Sequence, residues 1–296
     1  MTKQTTHEVV TAHIIAAIEA GAPTFQMPWI RGAAAGAPVN VASKKAYRGI
    51  NTLMLWGAGM QYTSSTWGTF KQWKDRGASV RKGEKGTPVV FFKKLDVTKE
   101  NAQGEQEQRQ VALIRHSFVF NANQVEGFEE PAAPEPRQDL TERLANVDRF
   151  CTNTRARIEH GGAAAFYRPS TDHIQMPPRE LFTGTDTSTA TESYYSTLLH
   201  ELTHWTGNRH RLDRLELKSR KGYAFEELIA ELGAAMLCQS LEITPEPRPD
   251  HAAYLASWLE VLKNDDRAIF KAAAEAQKAC DYLEALQAAH TNQEAA

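Results

Sequence analysis

The sequence predicts an α+β protein in two parts, a basic α+β N-terminal part and a mostly helical C-terminal part with a small sheet. Apolar periodicity is the first reason. Strand-like runs at Val89–Phe92, Ala112–Ile114 and Ser117–Phe120 precede residue 125, whereas helical spacing dominates after residue 139. The second is the stretch from Glu126 to Gln138, where proline and acid replace periodic apolar residues, as in an extended linker. The third is charge. Residues 1–125 carry 16 Lys and Arg against 8 Asp and Glu, and residues 126–296 carry 18 against 28, a contrast that the net charge of −2 hides. A length of 296 residues suits two domains, divided here as 1–128, a linker 129–138, and 139–296. The sign asymmetry points to a polyanion as partner of the first half only.

In chain order, His7 to Ala20 has helical spacing and stops at Gly21-Ala22-Pro23. Trp67 to Arg76 is amphipathic and read as a helix, and the polar stretch Thr98–Gln110 is read as a mobile hairpin arm between strands. Leu140 to His160 has a helical pattern. Ala164–Tyr167 and His173–Met176 flank the turn Arg168–Asp172 as two short strands, the second a candidate edge for peptide addition. Helices are expected at Thr189–Trp205, Ala224–Leu241 and His251–Ala289. No apolar run approaches the roughly 20 residues of a membrane span, and the N-terminus lacks a secretory pattern, so a cytoplasmic protein with no membrane partner is expected. Cys151, Cys238 and Cys280 are odd in number and widely spaced, the pattern of buried reduced thiols.

The chemistry centres on His200-Glu201-Leu202-Thr203-His204. On a helix, His200 and His204 share a face and can aim at one ion, with Glu201 beside the open coordination position as general base. The competing reading is an ordinary structural helix with a chance pattern; the Gly207 stop and a second helix with spaced acids weigh against it. A catalytic zinc needs a third protein ligand. Glu227 is the preferred candidate, with Glu231 four residues on, placed to support a ligating histidine from behind. His210 is the alternative, because His200 to His210 matches H-E-x-x-H-x-x-G-x-x-H. Against it, the downstream Met236 falls in a helical stretch rather than a turn.

The basic half interleaves cations and rings: Lys44, Lys45, Tyr47 and Arg48; Trp67, Lys71, Trp73, Lys74 and Arg76; then Arg81, Lys82 and Lys85. Single-stranded nucleic acid asks for this mixture, cations for phosphates and rings for unpaired bases. The competing reading makes the tryptophans core residues and the lysines a solvated surface.

Tyr47-Arg-Gly-Ile-Asn51, Trp67-Gly-Thr-Phe-Lys-Gln72, Gly77–Gly86 and Phe120-Asn-Ala-Asn-Gln124 occur in order with Tyr167–Pro177, the His200 motif, Arg211-Leu-Asp-Arg214 and Tyr223–Leu232. In these segments, nearly the whole chain resembles plasmid-borne antirestriction proteins of the ArdC type, whose N-terminal domain is shared with certain conjugation primases. The resemblance implies a single-stranded-DNA-binding domain, a zincin-like metallopeptidase domain, and protection of incoming DNA from host restriction. It further implies His200, His204 and an acid of Glu227–Glu231 as metal ligands. The expected cofactor is Zn2+, with Mn2+ as the other candidate. The expected partners are single-stranded DNA and an unidentified protein substrate, the host restriction system being one source. The rival is a non-catalytic protector whose metal is only structural.

Overall fold

A computed structural model describes residues 4–21, 36–100, 106–129, 140–185, 188–215, 219–245 and 251–294. Helix α1 (Thr6–Gly21) buries Val10, Ile14 and Ile18, a stripe at helical spacing. Strand β1 (Val39–Asn40) precedes helix α2 (Ile50–Gly59), strand β2 (Thr66–Thr69) and the short helix α3 (Phe70–Lys74). Strand β3 (Ser79–Val80) leads to the long hairpin β4 (Thr87–Glu100) and β5 (Gln106–Asn121), and β6 (Val125–Glu126) pairs back with β3. The main sheet has the order β1-β2-β5-β4.

One sequence expectation changes here. Trp67 is in a strand, paired with Asn121, and the helix is confined to Phe70–Lys74. Its start is set by a capping box, Thr69 accepting from the Gln72 amide while the Gln72 side chain accepts from the Thr69 amide. The polar stretch Thr98–Gln110 belongs to a hairpin, as expected, and the β4–β5 ladder runs on to Glu100 opposite Gln106, with residues 101–105 outside the described residues. Of the expected linker, residues 130–138 lie outside the described residues.

The C-terminal half continues with α4 (Leu140–Asn153), β7 (Arg157–His160), β8 (Phe166–Arg168) and β9 (His173–Met176). Helices α5 (Ala190–Thr206), α6 (Arg220–Ser240), α7 (His251–Asn264) and α8 (Ala268–Glu294) follow. The helix expected to reach His160 stops at Asn153. Arg155 takes a left-handed φ of 55°, and the chain turns into a strand parallel to β9. The small sheet therefore has the order β7-β9-β8, so His173–Met176 is its central strand and not the edge expected from the sequence; β8 is an edge, antiparallel to β9. The long helix expected from His251 is broken at Asp265–Arg267, where Thr11 Oγ1 donates to the Asp266 carbonyl at 2.7 Å and docks α1.

One apolar core runs through both halves. Val10, Ile14 and Ile18 of α1 and Ile50, Leu53 and Met54 of α2 belong to the same buried cluster as Leu198, Leu202, Leu228, Leu232, Ile269 and Ala272. Cys151, Cys238 and Cys280 are buried and unbridged, as the sequence predicts.

The site is positioned by how closely α5 and α6 approach. At Gly233 an added Cβ would lie 2.6 Å from Thr203 Cγ2 and 2.8 Å from Thr203 Oγ1, so only glycine lets α6 lie against the α5 face between the two motif histidines. Thr203 is fully buried and its hydroxyl donates to the Leu199 carbonyl at 2.8 Å, so it cannot swing away. Gly233→Ala should therefore destabilise the protein by about 1–3 kcal/mol in chemical denaturation, despite the better helix propensity of alanine. Adding Thr203→Ala should recover part of the loss; a neutral or stabilised Gly233→Ala protein would refute the close contact.

Candidate metal centre

Helix α5 begins with a second capping box. Thr189 accepts from the Glu192 amide, and Glu192 accepts from the Thr189 amide at 3.0 Å and from the Thr244 amide at 3.1 Å. Four residues separate His200 from His204, so their imidazoles share one face of the helix and meet edge to face, the ring centroids 4.7 Å apart. The facing helix α6 supplies Glu226, Glu227 and Glu231, all buried.

Three donor atoms converge. His200 Nε2 and His204 Nε2 are 3.1 Å apart, and the two Glu227 oxygens lie 3.5 Å from one and the other. A tetrahedral ion with bonds of about 2.1 Å spaces its ligands roughly 3.4 Å apart, so the set fits a small divalent cation. Among the described residues, these three form the only group of this kind. Glu231 Oε1 lies 3.2 Å from His200 Nδ1, and Glu226 Oε1 is hydrogen-bonded to His204 Nδ1 at 3.1 Å. A carboxylate only accepts, so His204 Nδ1 carries the proton and Nε2 is the nitrogen turned to the ion position. Glu226 is held in turn by Arg214, whose Nη2 and Nε donate to its two oxygens at 2.9 and 3.2 Å.

The electrostatics call for a cation. Burial opposes a charge on His204, but hydrogen bonds to Glu226 and Glu227 outweigh it and push its pKa up to about 10. Burial also works against the Glu227 carboxylate, yet the two imidazoles hold it far below the usual carboxylate range. Without a metal, protons supply the positive charge that these carboxylates demand.

Glu201 is buried at the wall of a cleft of about 560 Å³, mouth included, which it shares with His200, His204, Glu227, Tyr223 and the β8 residues Phe166 and Tyr167. His210 is elsewhere. After the Gly207 cap the chain turns outward, leaving His210 exposed and accepting from Arg209 Nε at 3.1 Å. The turn is locked to the small sheet: Arg211 stacks on Trp205 at 3.8 Å and pairs with Asp172, and Asn208 Nδ2 donates to the Tyr167 hydroxyl at 2.6 Å. The Arg211 guanidinium holds the Asp172 carboxyl below its ordinary range. The literal eleven-residue match is thus a structural turn, and the alternative third ligand falls away.

In the N-terminal half, Lys44, Lys45, Lys71, Lys74, Arg76, Arg81, Lys82 and Lys85 are exposed, and Tyr47 is half-buried. Arg48 is also exposed but ion-paired to Asp281 of α8. Trp67 and Trp73 are corrections. They are 1% and 0% exposed, and Trp73 Nε1 donates to the Phe120 carbonyl at 3.1 Å, so neither offers an open face for a base to stack on. Among the described residues of this half, the exposed large rings are Phe70, Phe91, Phe92 and Phe118. Alternation along the strands could not reveal them, because Phe91 and Phe92 project to opposite faces and both are exposed. Glu226 and Arg214 are site residues that the sequence does not single out, since the i, i+4 spacing that marks Glu231 does not reach them.

Glu226→Gln keeps the shape but weakens the acceptor on His204 and leaves the Arg214 charge uncompensated. Metal affinity, measured by competition with a chelator, should fall roughly 10–100-fold. Full affinity in this variant would disprove the part given to Glu226.

Comparison with known proteins places this site in a family. Residues 145–275 match the model of a zincin-like metallopeptidase, and residues 4–120 match that of the N-terminal domain of anti-restriction factor ArdC. The Sinorhizobium fredii protein y4eC, described as uncharacterized, is 47% identical over 291 residues, covering 95% of this chain and 92% of its own. A DNA primase TraC of Escherichia coli is 37% identical over 95% of this chain, which spans only 20% of the primase. Crystal structures of the antirestriction ArdC protein from the R388 plasmid, metal-free and Mn(II)-bound, superpose with TM-scores of 0.78 and 0.75 at 40% identity, covering 96% of this chain and 98% of theirs. The chain belongs to the ArdC antirestriction family, with an ArdC-type N-terminal region and a zincin-like metallopeptidase region.

Proposed function

We propose that this protein binds single-stranded DNA with its basic half and hydrolyses peptide bonds at a divalent metal held by His200, His204 and Glu227, so protecting incoming DNA from host restriction. The observation that carries the peptidase reading is the convergence of those three donors in a cleft whose wall includes Glu201. Either Zn2+ or Mn2+ suits two imidazoles and a carboxylate, and the R388 relative has been crystallised with Mn(II). The DNA reading draws on the exposed cations, the charge asymmetry and the segment held in common with TraC primases. The protein substrate would belong to the host restriction system, met in the cytoplasm. No helix among the described residues is long and apolar enough to cross a membrane.

When bound, the metal supplies Lewis-acid polarisation of the scissile carbonyl and acidifies the attacking water. Strand β8 pairs with β9 alone among the described strands, so its other side can take an extended peptide as a further strand, with Phe166 and Tyr167 at the cleft. Glu201 accepts the proton of the attacking water at its carboxylate and returns it to the departing amide nitrogen. Glu231 and Glu226 keep the two imidazoles turned to the ion position.

A second reading, a protector whose metal only braces the fold, is favoured by one observation: the donors come from α5 and α6, so an ion there would also tie two core helices together. Glu201→Gln separates the two. It should keep metal and DNA binding while losing about 10²–10⁴-fold in peptide hydrolysis, along with antirestriction in recipient cells. Undiminished protection by this variant would eliminate hydrolysis as the mechanism.

A further inference from the structure

With its tryptophans buried, the basic half offers phenylalanines as open rings, and two of them share a surface with exposed cations. Phe118 on β5 is 49% exposed, and Phe70, the first residue of α3, is 58% exposed. Register brings them together. Thr69, which ends β2, is paired with Val119, so Phe70 follows one member of the pair while Phe118 precedes the other, both at the same end of the antiparallel ladder. Paired and alternate residues share a face, which puts Phe118 on the same side of the sheet as Phe120 and Gly68. Helix α3 lies on that side. A Cβ at Gly68 would be 3.0 Å from the Trp73 ring, so Trp73 fills the space over Gly68 while Phe70, one turn earlier, stays open to solvent.

The basic loop 81–85 runs into the same place. A Cβ at Gly86 would lie 2.8 Å from Phe118 Cβ and 3.1 Å from Phe120 Cζ, so glycine lets the end of the loop lie directly against the strand that carries the ring. The loop is braced from behind. The Arg81 amide donates to the Gln124 carbonyl at 3.0 Å, and Gln124 Nε2 donates to Glu84 Oε2 at 2.9 Å and to the Lys85 carbonyl at 3.0 Å. Arg81 is taken up by Glu84, but Lys82 and Lys85 are exposed, and among the described residues no acid pairs with either. Lys74 is exposed and likewise without an acid partner among them; four residues after Phe70, it shares that ring's side of α3.

We propose that Phe70 and Phe118 form a platform on which unpaired bases of a single-stranded DNA stack, its phosphates lying on Lys74, Lys82 and Lys85. Open rings offer π-faces to any base, and the ammonium groups around them supply the charge its backbone needs. The charge also selects the occupant. An apolar protein face laid over these rings would desolvate the three ammonium groups with no counter-charge, whereas a nucleic-acid strand brings a phosphate with every base. In a duplex the base faces are already stacked on one another, so the platform favours single strands.

This rests on the single-stranded-DNA reading above, and the test keeps the two apart. The full-length protein is titrated with a labelled single strand of about a dozen thymidines and with an abasic sugar–phosphate strand of equal length. The wild type should prefer the base-bearing strand about tenfold or more, the scale of one stacked base. Phe70→Ala/Phe118→Ala should erase that preference and leave abasic binding unchanged. Phe70→Leu/Phe118→Leu keeps apolar bulk without a flat ring; it should lose the preference as well, and it serves if the alanine pair does not fold. Lys82→Ala/Lys85→Ala should weaken both strands alike and flatten the salt dependence. A preference unaltered by whichever ring variant folds would overturn the platform while leaving DNA binding intact, and so would a preference lost in Phe91→Ala/Phe92→Ala instead. A wild type that binds the two strands equally, or ring variants that change only its self-association in sedimentation, would also overturn it. Failure of the wild type to bind either strand would overturn both readings.

Discussion

Three carboxylates and two imidazoles packed into one buried space between α5 and α6 cannot stand without positive charge, and that requirement organises the C-terminal half. Isolated buried carboxylates would be neutralised or would unfold the site. Here they are matched by the imidazoles, by Arg214 and by a position where three donors meet at the spacing of a small divalent ion. The helix approach at Gly233 and Thr203 makes this possible, since it brings the α6 acids within reach of nitrogens on α5. Arg214 does two jobs: it pairs with Glu226 and donates to the Thr206 hydroxyl at 2.7 Å, tying the turn after α5 to the acids of α6.

The two halves are physically coupled. Helices α1 and α2 pack into the same core as α6 and α8, and polar contacts cross the boundary: Arg48 to Asp281, the Gly49 amide to Gln277 at 3.1 Å, and Lys263 to Glu19 at 2.7 Å. Exposed ion pairs such as these add little stability; the shared apolar core is what joins the parts. The stretches matched by separate family models, residues 4–120 and 145–275, thus share buried residues of one apolar cluster.

The convergence of these side chains was largely legible because helix geometry converts spacing into direction. Residues at i and i+4 must share a face, so His200 with His204 and Glu227 with Glu231 could be read as two converging pairs. The contribution of Glu226 was not legible, since it depends on which ring nitrogen of His204 faces away from the ion. His210 fitted a pattern in one dimension and failed in three, because Arg211 and Asn208 commit the turn to Tyr167 and Asp172. In the basic half, cations were easily read and rings were not. A tryptophan beside lysines has the same composition whether it is buried, as Trp67 is, or sits exposed. The Thr69–Gln72 capping box did mark the true start of α3, but helical amphipathicity from Trp67 masked it. The central position of β9 depended on recognising Arg157–His160 as a strand, which the helical pattern running on from Leu140 concealed.

The most direct measurement is an anomalous-scattering map from crystals grown with Zn2+ or Mn2+. One dominant peak is expected, about 2.0–2.2 Å from His200 Nε2, His204 Nε2 and a Glu227 oxygen, with Glu226 and Glu231 turned to the far nitrogens of the two rings. A peak coordinated by His210, or none between the two motif histidines, would contradict the site described.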